Sequence, residues 1–435
     1  MYLADLNKHL GATKTKDLNL LRSKGGRNVM ILGLVSMFTD ISSEMVVAVI
    51  PLFLTSQVGF GIFSFAIFEG IFQTTGAFFR LWGGQIADRT SNAKRIAAFG
   101  YAVSTVTRLG LFLSTFIGQV FAIPFLIADR VGKGIRVAPR DSLISRSVPK
   151  EKLATAFGIH RSLDTMGALL GPIAAWVILG LTPNAFDSVF FVSLMAGGVG
   201  VAIIIWFAKN PEELDETPVP IEEPKPVAKQ IAGVPQLIKA VAQNNAYYLI
   251  GAAGLLSLFT IGESLLYLYL FREGNLDATL FPLLYAGTAI VHLLLAVPVG
   301  KLGDTYGKVK VFLFGQALLI PAYLLIANVE ISGTIVLLTL AIFGVYFAST
   351  DGVLAAIASA IAPEESRGTL LGAVSMTVAL ARLVSAISFG FLWGRTSLGA
   401  QNSVNLYVAA LVIALIISSV FLRKLPINKE DQSYV

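Results

Sequence analysis

The sequence contains no cysteine, which excludes a disulfide-stabilised module and any metal site built on thiolates. Charged residues are also few: they make up 14% of the 435 residues, against roughly 25% in an ordinary soluble domain. Hydrophobic residues account for 55%, which excludes a disordered chain, a coiled coil and an ordinary cytosolic enzyme. This composition favours a polytopic membrane protein, whose length goes mainly into apolar spans of about 20 residues.

Motifs for enzyme chemistry are missing as well. The sequence has no phosphate-binding loop pattern, so ATP-driven transport by this chain is not expected. It has three histidines and no Ser-His-Asp or metallohydrolase pattern, which argues against a metal centre and against catalytic residues. We therefore expect a protein that is not an enzyme and that needs no cofactor.

Long apolar runs are the main positive feature of the sequence. There are twelve, in two groups of six, and most are long enough to cross about 30 Å of hydrocarbon as helices. Because unpaired backbone groups cannot face lipid, we predict an all-α membrane protein with 12 transmembrane helices in two six-helix bundles. The runs cover residues 29–56, 61–87, 93–115, 119–146, 153–180 and 185–208, then 246–271, 279–302, 308–328, 332–361, 367–394 and 402–423.

Basic residues predict the orientation of these spans. Of the 33 lysines and arginines, 23 lie in the tails, the central segment and alternate loops, whereas the opposite loops hold only Arg272 and Arg395. Since basic loops stay on the cytoplasmic side, we predict that both termini are cytoplasmic and that the protein lies in the plasma (inner) membrane. Topology then explains the net charge of +6, and nucleic-acid binding is not expected.

A polar segment separates two halves that repeat each other. The segment is rich in proline, glutamate and lysine, a composition that cannot bury a core. Gly84–Asp88 matches Gly300–Asp304, and Pro149–Glu151 matches Pro363–Glu365, which indicates the parallel repeat of one large class of transporters. We predict a tail at 1–28, a bundle at 29–208, a linker at 209–240, a second bundle at 241–424 and a tail at 425–435.

Three motifs resemble signatures of the major facilitator superfamily. They are Gly84-x3-Asp88-Arg89 with Lys94 and Arg95, Leu126-x3-Arg130-x2-Lys133-Gly134 in the fourth span, and Gly167-x3-Gly171-Pro172 in the fifth. The resemblance covers essentially the whole chain, and the stretch 129–141 resembles a poorly characterised prokaryotic branch.

The resemblance to this superfamily implies its fold and transport by alternating access. The motifs in the fourth and fifth spans are similar to those of proton-coupled antiporters, which implies export. The loop motif and the fifth-span motif imply a conformational gate made of Gly84, Asp88, Arg89, Lys94, Arg95, Gly167, Gly171 and Pro172.

Ionisable residues within the spans are concentrated in the N-terminal half. Each costs about 2.5–3.5 kcal/mol at a helix centre, so it requires a partner, a water-filled cavity or a function. Residues 129, 133, 136 and 140 form one stripe on the fourth span, and we expect acids of the first span to face it. The predicted proton-coupling and ion-pair network consists of Asp40, Glu44, Asp129, Arg130, Lys133, Arg136, His160, Arg161 and Asp164. The alternative is a static network of buried ion pairs that only fixes helix register.

A substrate cavity is predicted from four residues of both halves. Glu263 and Tyr267 share a face of the seventh span, Asp351 lies in the tenth, and Arg140 ends the stripe of the fourth. The expected cargo is a small molecule, and the protein is expected to act as a monomer surrounded by the lipid bilayer.

Secondary active transport is the function that these patterns favour. We expect proton-coupled export of a small organic solute or drug, energised by the proton gradient. A proton-coupled uptake symporter for an organic anion is the alternative, because the basic stripe suits a carboxylate or phosphate group. A non-transporting membrane sensor or receptor on the same fold is an alternative of another class.

Overall fold

The computed structural model describes residues 23–89, 92–149, 152–210, 213–214, 241–363 and 366–426. These residues are almost entirely helical, and no β-strand occurs among them. The prediction of an all-α membrane protein is therefore confirmed for this part of the chain.

The first group of helices follows the first six apolar runs. Helix α1 continues beyond its end through a short turn, Ile50–Leu52, and a π-helical turn, Phe53–Gln57. The helices are α1 (Lys24–Val47), α2 (Ile62–Arg89), α3 (Ala93–Ile117), α4 (Ala122–Ser147), α5 (Leu153–Leu181) and α6 (Phe186–Trp206).

The second group contains two more helices than the apolar runs predict. The seventh run is divided between α7 and α8, and the ninth between α10 and α11. The helices are α7 (Ala246–Leu258), α8 (Glu263–Glu273), α9 (Phe281–Tyr306), α10 (Lys308–Ala317), α11 (Leu319–Asn328), α12 (Gly333–Ile361), α13 (Arg367–Arg395) and α14 (Gly399–Leu422).

At the break between α7 and α8, the freed backbone groups form hydrogen bonds with side chains of helices distant in the sequence. The Ile261 N–H donates to the hydroxyl of Tyr323 at 2.8 Å, and the carbonyl of Thr260 accepts from Ser385 Oγ at 2.8 Å. An interrupted helix is tolerated at membrane depth where other parts of the protein pair the freed backbone groups. The residues of both hydrogen bonds are buried, so the break belongs to the packed interior of the fold.

Eleven stretches of the described residues are long and apolar enough to cross a membrane. The helix that corresponds to the run at 119–146, α4, is not among them, although it is 26 residues long. Its middle carries Asp129, Arg130, Lys133, Arg136 and Arg140, which lower its hydropathy. The count of 12 spans and the orientation of the termini stay predictions.

Contacts divide the chain into two compact units. The first lies within Met1–Val46, Phe79–Ala174 and Asp187–Pro226, and the second within Val47–Phe78, Ala175–Phe186 and Val227–Val435. Residues of α1, α2, α5 and α6 therefore occur in both units. The bundles predicted at 29–208 and 241–424 stay predictions, and most of the predicted linker and tails lies outside the described residues.

In the first unit, small residues bring α4 close to its neighbours. A Cβ at Gly132 would lie 2.9 Å from the carbonyl oxygen of Gly100 on α3, and one at Gly134 would lie 2.6 Å from Phe79 on α2. Such close backbone approach is how helices pack in lipid, where water provides no hydrophobic drive between them. Packing of this kind holds the charged helix α4 in the interior of the unit.

Candidate functional site

The acids of α1 face the basic stripe of α4 in the first unit. Lys133 Nζ lies 2.7 Å from Glu44 Oε1 and 3.7 Å from Asp40 Oδ1. An Arg136 nitrogen lies 3.3 Å from the same Asp40 oxygen, and the Arg136 guanidinium lies 4.6 Å from the ring centre of Tyr101. Asp40 is therefore shared by two cations, one helical turn apart on α4.

A second group joins α4 to α5 through Ser36 of α1. Arg140 donates to Ser36 Oγ at 3.0 Å and lies 3.6 Å from Asp164 Oδ1. His160 Nε2 contacts the same serine hydroxyl at 3.1 Å. Arg161, which is 76% exposed at its side chain, lies 3.5 Å from Asp164 Oδ2. Three helices thus meet at one serine and one carboxyl group.

The two groups are connected by a pair of carboxyl groups. Asp40 of α1 and Asp164 of α5 lie near enough for their carboxyl groups to interact electrostatically. A hydrogen bond between two carboxyl groups requires a proton on one of them, since an ionised carboxylate has no donor. This pair is therefore a place where a single proton decides whether two like charges face each other.

Asp129 lies in a different, sealed environment. An Arg108 nitrogen of α3 lies 2.8 Å from Asp129 Oδ1, and both side chains are 1% exposed. Arg130 approaches the other oxygen of Asp129 at 3.4 Å, and Arg108 also donates to Ser42 at 3.4 Å. The sequence places Asp129 on the stripe of α4, but its closest cation is an arginine of another helix that we did not include in the predicted site.

Exposure separates this sealed pair from the other ion pairs. The side chains of Lys133 and Glu44 are 25% and 24% exposed, and that of Asp164 is 15% exposed. The side chains of the Arg108–Asp129 pair are each 1% exposed. The geometry therefore divides the predicted network into partly exposed ion pairs and one enclosed pair.

In the second unit, Glu263 and Tyr267 lie together as their spacing on α8 indicates. The Tyr267 hydroxyl donates to Glu263 Oε1 at 2.7 Å, and the Tyr267 ring packs edge-on against Tyr285 at 4.6 Å between centroids. Asp351 is exposed on α12. Arg140 belongs to the first unit, so its part in a cavity with these three residues stays a prediction.

Glu69 of α2 is a buried acid that we did not include in the predicted site. It is 4% exposed and accepts hydrogen bonds from Ser264 Oγ at 3.0 Å and from Gln73 Nε2 at 2.9 Å. Tyr285 extends the cluster by donating to the Ser264 hydroxyl at 3.1 Å. A carboxyl group inside a span is by itself a signal for such a polar cluster.

The residues of the predicted gate have separate roles in the structure. Gly171 lets α5 approach α1, since a Cβ there would lie 2.8 Å from the backbone nitrogen of Met45, and Gly167 touches the Met37 backbone in the same way.

Lys94 donates to the carbonyl of Ile205 at 3.2 Å, and the Arg95 N–H donates to the capping side chain of Asn92. Pro172 is buried within α5. The side chains of Asp88 and Arg89 and the surroundings of Gly84 lie outside the described residues.

Clusters of metal ligands do not occur in the described part of the chain. No group of three or more histidine, aspartate or glutamate side chains there has a geometry that would hold a metal ion. The charged centre consists instead of carboxyl groups that face arginines and a lysine.

Comparisons with known proteins agree with this fold. The sequence profile described as Major Facilitator Superfamily matches residues 32–386 and again 264–433. An uncharacterized MFS-type transporter of Methanocaldococcus jannaschii is 30% identical over 378 residues, which are 84% of this chain and 88% of that protein. An auto-inhibited peptide transporter of the POT family has a TM-score of 0.73 at 12% identity, covering 92% of this chain and 96% of that one.

A nucleoside transporter, NupG, also has a similar fold. Its TM-score is 0.69 at 13% identity, with 91% of this chain and 98% of that chain covered. The helical architecture, the charged centre within the spans and the profile match over most of the sequence lead to one conclusion. The chain belongs to the Major Facilitator Superfamily and is a multi-pass membrane transporter.

Proposed function

We propose that the protein is a proton-coupled secondary transporter that exports a small organic solute. The observation that supports this most directly is the position of Asp40, which faces Lys133, Arg136 and the carboxyl group of Asp164 at once. The proton gradient supplies the energy, and the transport cycle needs no cofactor. The protein acts as a monomer in the plasma (inner) membrane with both termini in the cytoplasm.

Protonation of the Asp40–Asp164 pair changes the forces between three helices. With one proton shared, the two acids carry a single negative charge and hold α1 and α5 together through a hydrogen bond. Without the proton, two carboxylates face each other and repel, and each then binds its cations more strongly. The preferred spacing of α1, α4 and α5 therefore depends on one proton, which is the property that a proton-driven transport cycle requires.

Glu44 and His160 complete the proposed proton path. Glu44 competes with Asp40 for Lys133 and is accessible to water, so it suits the entry of a proton. His160 shares the Ser36 hydroxyl with Arg140 and continues the hydrogen-bonded chain toward Asp164. We assign Asp129 a structural role, because an Arg108 nitrogen lies 2.8 Å from it and both side chains are 1% exposed.

Export is proposed from the antiporter-like motifs of the fourth and fifth spans. The opposite direction, uptake of an organic anion with protons, remains the alternative because α4 and α5 together present several cations. The direction of proton movement relative to solute movement separates the two functions.

The test requires a solute and a proton signal in the same vesicle. Comparing the sensitivity of cells with and without the protein to a panel of metabolites and toxins identifies the solute. Proteoliposomes with a trapped pH-sensitive dye then report proton movement when that solute is applied as a gradient. We expect opposed solute and proton fluxes, and Asp40→Asn should abolish the proton flux because it removes the shared titrating group.

Glu330→Gln is the matched control for this variant. Glu330 is exposed in the loop between α11 and α12, so its change should leave both fluxes unchanged. Parallel fluxes in the unaltered protein would establish uptake instead of export. Solute movement without any proton movement would refute the proton coupling itself.

A further inference from the structure

Arg382 is a cation of the second unit whose one hydrogen-bond partner among the described residues is neutral. It lies on α13, and one of its terminal nitrogens donates to the hydroxyl of Tyr346 on α12 at 3.3 Å. Its Nε is buried and has no hydrogen-bond partner among the described residues. No carboxylate of the described chain lies within ion-pair distance of the guanidinium, so its charge is not neutralised locally.

The cations of the first unit are treated differently by the structure. Arg108, Lys133 and Arg140 each have a carboxylate within 3.6 Å or less. Arg80 has no such partner among the described residues, but its side chain is exposed. Arg382 is partly buried within its span, and no carboxylate of the described residues lies within ion-pair distance of it.

The neutral polar groups near Arg382 in the described residues are tyrosine hydroxyls. Tyr346 and Tyr323 are 1% and 0% exposed, and the Tyr323 hydroxyl already accepts the N–H of Ile261. The ring of Phe343 packs between these two tyrosines, 5.7 Å from Tyr346 and 6.4 Å from Tyr323. A guanidinium has five N–H donors arranged as a planar fork, so most of its donor capacity is unused here.

Asp351 of α12 is a carboxyl group that acts electrostatically on Arg382. It lies beyond ion-pair distance and is exposed, so water screens it and it forms no hydrogen bond within the described chain. Asp351 therefore stands near the cation without neutralising it. An arriving anion would compete with Asp351 for Arg382.

We propose that Arg382 binds an anionic group of the transported solute, a carboxylate or a phosphate. The guanidinium fork matches the two oxygens of such a group, and the part-buried setting strengthens the interaction relative to water. This inference rests on the proposed transport function and adds the chemical class of the cargo. It applies to transport in either direction.

The test measures binding without any proton gradient, so its outcome is independent of the proposed coupling. Four probes of similar size differ in charge: benzoate and phenyl phosphate are anions, benzamide is neutral and benzylamine is a cation. Thermal unfolding of the purified protein in detergent is followed at increasing concentrations of each. We expect the two anions to raise the melting temperature and the other two to leave it unchanged.

Variants then assign the binding to one side chain. Arg382→Gln should weaken the apparent affinity for the anions about tenfold or more, because charge-assisted hydrogen bonds are lost. Arg382→Lys should weaken it less, since the charge stays but the fork is lost. Asp351→Asn should strengthen it, because the competing carboxylate is removed.

Tyr346→Phe is the matched control that tests whether Arg382 only stabilises the fold. It removes the hydroxyl partner and should lower the melting temperature without changing the shift that the anions produce. Four results would overturn the proposal: no stabilisation of the unaltered protein by either anion, stabilisation by benzylamine alone, an unchanged anion response in Arg382→Gln, or an equal loss of response in Tyr346→Phe. Loss of proton coupling in Asp40→Asn with intact anion binding would separate this site from the coupling site.

Discussion

At the residue scale, burial distinguishes two kinds of ion pair that look alike in the sequence. Asp40, Glu44 and Asp129 are all acids within apolar runs, and each meets a cation of α3 or α4. The side chain of Glu44 is 24% exposed and that of Asp40 is 11% exposed, whereas that of Asp129 is 1% exposed. The helical spacing predicts that Asp40 and Glu44 share a face, but pairing of Asp129 with Arg108 depends on how α3 and α4 are rotated and shifted against each other. That register is decided by contacts between helices, which no single-helix pattern contains.

Asp129→Asn tests the structural role of the sealed pair. The change leaves Arg108 buried at 1% exposure without an opposite charge, so we expect a loss of about 3–5 kcal/mol in the free energy of unfolding. Denaturant unfolding of the purified protein in micelles measures the loss. Replacing both partners, with Arg108→Met and Asp129→Leu, should recover part of it, because the charge of Arg108 is then removed. The charge of Arg130, which lies 3.4 Å from Asp129, remains. A double variant no more stable than Asp129→Asn would contradict a sealed ion pair.

At the element scale, glycine spacing predicts close packing that the structure assigns to particular neighbours. The Gly167 and Gly171 pair lies against α1, and this approach keeps the Asp164 and Asp40 carboxyl groups together. The apolar runs also predict most of the helices. They do not predict the break at Phe259–Gly262, because the partners that satisfy it, Tyr323 and Ser385, come from helices distant in sequence.

Gly171→Ala tests whether the approach of α5 to α1 is required for transport. The added Cβ would lie 2.8 Å from the Met45 nitrogen and 2.9 Å from the Ile41 oxygen, so the helices must separate. We expect a destabilisation of about 1–3 kcal/mol and a marked loss of proton-coupled transport, measured by unfolding in micelles and by dye quenching in vesicles.

Gly158→Ala on the same helix is the matched control. No atom lies within 4 Å of the position its Cβ would occupy, so the variant should be as active as the unaltered protein. Its stability should rise by up to about 1 kcal/mol, since alanine is the better helix former. Equal behaviour of the two alanine variants would show that the α1–α5 contact has no part in transport.

At the scale of the whole molecule, the distribution of charge separates topology from chemistry. Basic residues in loops and tails predict the orientation, whereas the charged centre is confined to α1, α3, α4 and α5. The absence of cysteine makes the orientation directly measurable, because a single introduced cysteine is the only thiol in the chain.

Labelling of introduced cysteines tests the prediction that both termini are cytoplasmic. Thr182 follows α5 and Thr305 ends α9, and both are exposed. In intact cells a membrane-impermeant maleimide should label Thr182→Cys, because the predicted topology places that loop outside. Thr305→Cys should react only after permeabilisation. The reverse pattern would invert the topology and, with it, the side from which Asp40 receives protons.

The sequence by itself determined that this protein crosses the membrane as helices and that its ionisable groups are concentrated in the N-terminal half. Both follow from the free-energy cost of removing polar groups from water. Backbone groups in lipid must be hydrogen-bonded, and an ionisable side chain within a span is rare enough to be identified from the sequence. Only the tertiary structure decided which charges meet. Lys133 and Glu44 are 89 residues apart in the sequence. Among the described residues, Asp129 lies near two arginines, whereas no carboxylate lies within ion-pair distance of Arg382. The reason is that partner choice depends on the packing of separate helices.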